Sequence, residues 1–132
     1  MFAIERLHHV SLCVTDLERA KQFYGTVLGL REVDRPDLGF GGAWYALGGN
    51  QQLHLIVHAP TRTLRGTREI DGRDGHFAMR VASYDAAVAH LRARGVEVIV
   101  SPRNKTPWAQ VYFTDPDGNV IELNVDVDPR RP

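Results

Sequence analysis

Residues 7–20, LHHVSLCVTDLERA, and residues 74–87, DGHFAMRVASYDAA, carry one pattern twice. Laid over each other at an offset of 67 residues, they put His9 on His76, Val14 on Val81 and Ala20 on Ala87. A second match, GGNQQLHLIV (48–57) with DGNVIELNV (117–125), puts His54 on Glu122 at an offset of 68. His9 and His54 are 45 residues apart, and His76 and Glu122 are 46 apart. Self-similarity of this kind takes precedence over single elements, because it makes the chain two related halves. They run from about 3 to 58 and from about 71 to 126, joined by a polar segment at 61–69.

Each half repeats one order of elements. A strand opens it, at 7–14 or 75–82, alternating in character and rich in β-branched residues. A helix follows the first strand, with Thr15 or Asp16 as N-cap and Leu17, Ala20, Tyr24, Val27 and Leu28 at helical spacing before Gly29. The second helix has Ser83 or Asp85 at its cap, Ala87, Val88 and Leu91 facing inward, and Gly95 as its stop. Up to three strands complete each half, near 30–34, 43–47 and 52–58, then near 96–101, 109–114 and 120–125. Asp115-Pro116-Asp117-Gly118 reads as the turn between the last two, since proline presets φ and glycine supplies a positive φ. The fold class is therefore α+β, two β-α-β-β-β modules within one domain, 1–132.

Composition narrows the function classes. Lys and Arg total 16 and Asp and Glu total 16 among 132 residues, so no net charge draws the chain to nucleic acid. Its apolar runs are far too short to span a bilayer, and the N-terminus has no apolar signal region. A single cysteine, Cys13, allows no internal disulfide and fits a reducing, cytoplasmic setting.

Side chains alternate across a strand with period two. Val10, Leu12 and Val14 share one face of the first strand, and His9, Ser11 and Cys13 share the other. Phe77 and Met79 oppose His76, Leu53 and Leu55 oppose His54, and Ile121 and Leu123 oppose Glu122. The helices cover the apolar faces, so all four polar residues are expected on the other, concave face. Chance gives that agreement about one time in eight. Three imidazoles and one carboxylate suit a divalent Zn, Ni, Fe, Co or Mn ion and leave a coordination position open. A metal with an open position polarises a substrate oxygen or activates water, so a small-molecule substrate is the expected partner. His8 is out of phase, His58 stands at a strand end and His90 lies on a helix, so these three are read as structural or surface. Arg35, Arg80, Arg103 and Lys105 are candidates to hold an anionic substrate group, and Trp44 and Tyr112 to line the pocket.

Four stretches carry a family resemblance: LHHVSLCVTDLERAKQFYGTVLGL (7–30), QLHLIV (52–57), GHFAMRV (75–81) and FTDPDGNVIEL (113–123). In these the chain resembles the vicinal oxygen chelate superfamily, which includes glyoxalase I, fosfomycin-resistance thiol transferases, methylmalonyl-CoA epimerase and extradiol dioxygenases. The resemblance implies that the two modules form a half-open barrel-like cleft around one divalent transition metal per chain, held by His9, His54, His76 and Glu122. It also implies a homodimer, with sites built within one chain or shared between two. A glyoxalase-type lyase or isomerase with Glu122 as the proton-moving group is the leading expectation, acting on a substrate such as a thiol adduct. A fosfomycin-resistance-type thiol transferase, an extradiol-type dioxygenase and a non-catalytic drug-sequestering protein are the alternatives. His54 departs from glyoxalase I, which usually has glutamate there. Thiol transferases of the superfamily use two histidines and a glutamate, which here would be His9, His76 and Glu122.

Overall fold

A computed structural model describes residues 2–58, 65–101 and 108–126. The chain forms two compact units, Met1–Leu64 and Arg65–Pro132. In the first unit, β1 (His9–Val14), β2 (Glu32–Val33), β3 (Gly42–Ala46) and β4 (Gln52–Val57) form one sheet in the order β1-β4-β3-β2. In the second, β5 (His76–Arg80), β6 (Ile99–Ser101), β7 (Trp108–Thr114) and β8 (Val120–Asp126) form another in the order β5-β8-β7-β6. The two orders are the same once the repeat is applied. In each sheet the first strand pairs in parallel with the last, and the other pairings are antiparallel. Neither sheet closes into a barrel.

The helices lie where the repeat requires. Asp16 caps α1 (Leu17–Lys21), its carboxylate accepting from the Arg19 amide at 3.1 Å. Ser83 caps α2 (Tyr84–Ala93), its hydroxyl accepting from the Ala86 amide at 3.2 Å. In both cases a side chain satisfies an amide that the first helical turn leaves without a backbone acceptor. The first helix differs from a continuous α-helix to Leu28. After Lys21 the chain widens into a π-helical segment, Gln22–Val27, and the Leu28 amide reaches back to the Phe23 carbonyl at 2.9 Å. Gly25, Thr26 and Val27 occupy this stretch, and glycine and β-branched residues hold an α-helix poorly. The wider turn keeps Phe23 and Tyr24 buried.

One face of each sheet meets its helix and makes the core. Val14, Ala20, Tyr24, Ala43, Tyr45, Leu53 and Leu55 are buried in the first unit, and Leu91, Val111, Phe113, Ile121 and Leu123 in the second. At roughly 25 cal/mol per Å², each fully buried Leu or Ile side chain contributes about 2 kcal/mol. The turn after β7 is built on Asp115, whose Oδ1 accepts from the Asp117 and Asn119 amides at 2.9 Å each. Residues 65–69 are more than a connection: Arg65 donates to the Gly118 carbonyl at 2.6 Å and pairs with Asp74 at 2.7 Å. Residues 61–64 of the expected polar segment lie outside the described residues.

Candidate metal centre

The faces turned away from the helices carry the polar groups, and the strand registers show which of them meet. In the first unit Ser11 and Trp44 flank His54 as its cross-strand partners, while His9 stands opposite Gln52. The His54 ring is stacked between two others. His9 lies on one side with centroids 4.1 Å apart, and Trp44 on the other at 4.2 Å. His54 Nε2 is 2.9 Å from Gln52 Oε1. With that oxygen accepting, Nε2 carries the proton and Nδ1 keeps the lone pair a metal needs. Burial pushes the His54 imidazole below its ordinary value, and electrostatic repulsion from the His9 and His8 rings and from Arg35 acts the same way. His8, read from the sequence as outside the site, has its Nδ1 2.8 Å from Nδ1 of His9.

In the second unit Ala78 and Tyr112 flank Glu122, and His76 stands opposite Val120. Glu122 is 4% exposed, which for a carboxylate demands partners. It has them: the Gln110 amide donates to Oε1 at 3.0 Å and the Asn124 amide to Oε2 at 2.6 Å. His76 Nδ1 lies 2.8 Å from the Asp74 carbonyl oxygen, which can only accept, so Nδ1 holds the proton. That leaves the Nε2 lone pair facing Glu122 Oε1 at 3.4 Å. Two lone pairs so placed repel unless a proton or a cation lies between them. Ligands about 2.1 Å from a tetrahedral ion are themselves about 3.4 Å apart, so the pair fits a divalent metal. The Tyr112 ring stands edge-on to His76, centroids 5.5 Å apart. Burial, then its hydrogen bond to Glu122 and that carboxylate's charge, push the Tyr112 phenol up to about 12.

Each unit thus brings together one pair of the expected ligands, His9 with His54 and His76 with Glu122. Among the described residues, no group of three or more His, Cys, Asp or Glu side chains is gathered as a metal site. The expected substrate residues diverge. Trp44 and Tyr112 pack on candidate ligands, and Arg80 is ion-paired with Asp126. Arg35 lies on the His54 face, while Arg103 and Lys105 lie outside the described residues. Gln52, Gln110 and Asn124 escaped the sequence reading. Their signal was available, because Gln52 and Asn124 are each two residues from a candidate ligand and so share its face.

The relatives agree with this architecture. Glyoxylase I 4 of Arabidopsis thaliana is 29% identical over 120 residues, covering 89% of this chain and 68% of the relative. Glutathione transferase FosA of Serratia marcescens is 29% identical over 126 residues, covering 92% of this chain and 82% of the relative. The crystal structure of TnmS3, an antibiotic binding protein from Streptomyces sp. CB03234, superposes with a TM-score of 0.74 at 32% identity, covering 96% of this chain and all (100%) of that one. The family description "Glyoxalase/Bleomycin resistance protein/Dioxygenase superfamily" matches residues 6–123, both units included. The chain belongs to the glyoxalase/bleomycin resistance protein/dioxygenase superfamily.

Proposed function

We propose that this chain is a metal-dependent enzyme of the glyoxalase type, a lyase or isomerase that moves a proton on a small substrate offering oxygen atoms to the metal. His9, His54, His76 and Glu122 would supply the ligands, one pair from each unit, within one chain or across a dimer. The observation that carries the reading is the His76–Glu122 pair, two lone-pair donors 3.4 Å apart with the other atoms of both groups already hydrogen-bonded. A bound divalent ion supplies Lewis-acid polarisation of a substrate oxygen. The chain's own residues do the rest. Glu122 accepts and returns the proton, and Gln110 and Asn124 keep its carboxylate aimed while it does so. Trp44 and Tyr112 shield the two imidazoles and present apolar ring surface to the substrate.

The test begins with elemental analysis of protein purified without added metal, followed by reconstitution with Zn, Ni, Mn, Fe and Co. About one ion per chain is expected, and His76→Ala should lose it, because too few donors remain to compete with water. Full metal content and affinity in His76→Ala would remove the proposed site. Hemithioacetals, epoxides with thiols, and catechols are then offered in turn. Proton exchange at a substrate carbon supports the lyase or isomerase reading; thiol addition without exchange, or ring cleavage that consumes oxygen, overturns it. The likeness to the antibiotic binding protein TnmS3 along the whole chain favours a second reading, a non-catalytic protein that holds a drug-like molecule. That reading wins if no substrate turns over and an unchanged ligand binds tightly.

A further inference from the structure

Arg35 holds a fixed position and pairs with no carboxylate among the described residues. It follows β2, where Val33 pairs with Trp44, and Trp44 pairs in turn with His54. Cross-strand partners share a face, so Val33, Trp44 and His54 lie on one side of the sheet, and Gly42, two residues before Trp44, lies there too. The Arg35 guanidinium rests on Gly42, where an added Cβ would come within 3.0 Å of its Nε and Nη2. Nη2 donates to the Phe40 carbonyl at 2.9 Å, and the guanidinium carbon sits 5.1 Å from the centre of the Phe40 ring. These contacts fix the group without neutralising it. Among the described residues Arg35 pairs with no carboxylate, and its buried Nε has no hydrogen-bond partner.

Two of the nearby acids are otherwise engaged. Glu32 pairs with Lys21 at 3.0 Å, and the Asp37 carboxylate accepts from the Gly39 amide at 2.9 Å. Asp34 is exposed and lines the same open cleft as Arg35, but pairs with no arginine among the described residues. An open cleft of about 450 Å³ is lined by Glu32, Val33, Asp34, Arg35, Gly42 and Ala43. The charge of Arg35 is felt at His54, where it opposes protonation. A planar, permanently charged fork, held in place and paired with no carboxylate among the described residues, is suited to carboxylate or phosphonate oxygens.

We infer that Arg35 binds an oxyanion group of the substrate, a carboxylate or a phosphonate, beside the His54 face of the first unit. The substrate is then a small anionic molecule. In naming that class the inference rests on the metal-dependent reading, although oxyanion binding by Arg35 can be measured without it.

The probes are methylphosphonate, acetate and neutral acetamide, titrated into the protein as purified with its metal content measured in parallel. The Arg35 Nε–H resonance is followed by NMR and assigned by its absence in Arg35→Met; the Trp44 indole N–H is a second reporter, separated from Trp108 in a Trp108→Phe background. One or both anions should move the two resonances saturably and acetamide should not, and the tighter anion names the head group. Arg35→Met should weaken the anion at least tenfold with metal content unchanged, and Arg35→Lys should fall in between, keeping charge without the fork. No saturable shift, an equal response to acetamide, or unchanged affinity in Arg35→Met overturns the inference. If Arg35→Met does not fold, the wild-type Nε–H titration and Arg35→Lys decide. Arg35-dependent binding in protein that takes up no metal on reconstitution sinks the metal centre and leaves the oxyanion site standing.

Discussion

Glu122 concentrates the chemistry at the scale of single residues. Its carboxylate is almost wholly buried and held by two amide donors, so replacement by Gln keeps the shape and removes the charge and the basic oxygen. At matched metal content, Glu122→Gln should lower turnover by roughly 10²-fold or more, the usual contribution of a general acid–base group. Turnover that falls only in step with lost metal would assign Glu122 a purely structural role. The same carboxylate acts on its neighbour. Tyr112 has a phenol raised from 10.0 to about 12, so it stays protonated in the folded chain at pH values where the unfolded chain has begun to ionise. Its contribution to stability is complete below the ordinary phenol value and is lost as pH rises towards the raised one. Titration by ultraviolet absorbance should show one late-ionising tyrosine fewer in Tyr112→Phe. In Glu122→Gln the Tyr112 step should move to lower pH, because the carboxylate's charge is gone; no movement would detach the shift from Glu122.

Among the elements, α2 and the β7–β8 turn show how local chemistry holds the second unit in register. The Ser83 hydroxyl accepts from the Ala86 amide in the first turn of α2, and Ser83→Ala should cost about 1 kcal/mol. For a domain of this size that lowers Tm by roughly 4 °C, which calorimetry resolves. Gly118 has φ +89, and a Cβ there would stand 2.9 Å from the Thr67 carbonyl oxygen. Gly118→Ala therefore combines a left-handed conformation with a backbone clash and should destabilise by about 1–3 kcal/mol. A Tm equal to wild type would mean that the turn relaxes freely. Because this turn leads into β8, which carries Glu122 and Asn124, Gly118→Ala should also lower metal affinity. Much of this scale was legible in the sequence: both caps, the glycine stops and all eight strands follow from spacing and turn chemistry. The π-helical segment was not. Its apolar positions fit an α-helix equally well, and Phe23 and Tyr24 are buried within the wider turn.

For the whole molecule, the two units repeat one topology, and each contributes one pair of candidate ligands. The resemblance in sequence leads us to expect a homodimer, and closed two-fold pairs are the commonest oligomer. Light scattering should give about twice the 14.8 kDa chain mass. A metal-loaded monomer would rule out a centre shared between chains. Mixing His9→Ala chains with Glu122→Gln chains takes this further. If the centre is shared, some mixed dimers regain one intact set of ligands and recover activity; if each chain holds its own centre, every mixture stays defective.

The sequence by itself determined the repeat, the element order, the two faces of each sheet and the identity of the four candidate ligands. These follow from strand and helix periodicity, which are properties of the backbone and need no partner. Tertiary structure decided what surrounds those ligands. The His54 stack between His9 and Trp44 depends on parallel pairing of β1 with β4 and antiparallel pairing of β3 with β4. The amide cradle of Glu122 likewise needs Gln110 brought across from β7. It also separated two arginines that look alike in the sequence, tying Arg80 to Asp126 and giving Arg35 no carboxylate partner among the described residues. Periodicity states which way a side chain points, but the group it meets is set by strand register and by the close approach of distant segments. A single strand does not encode either of these.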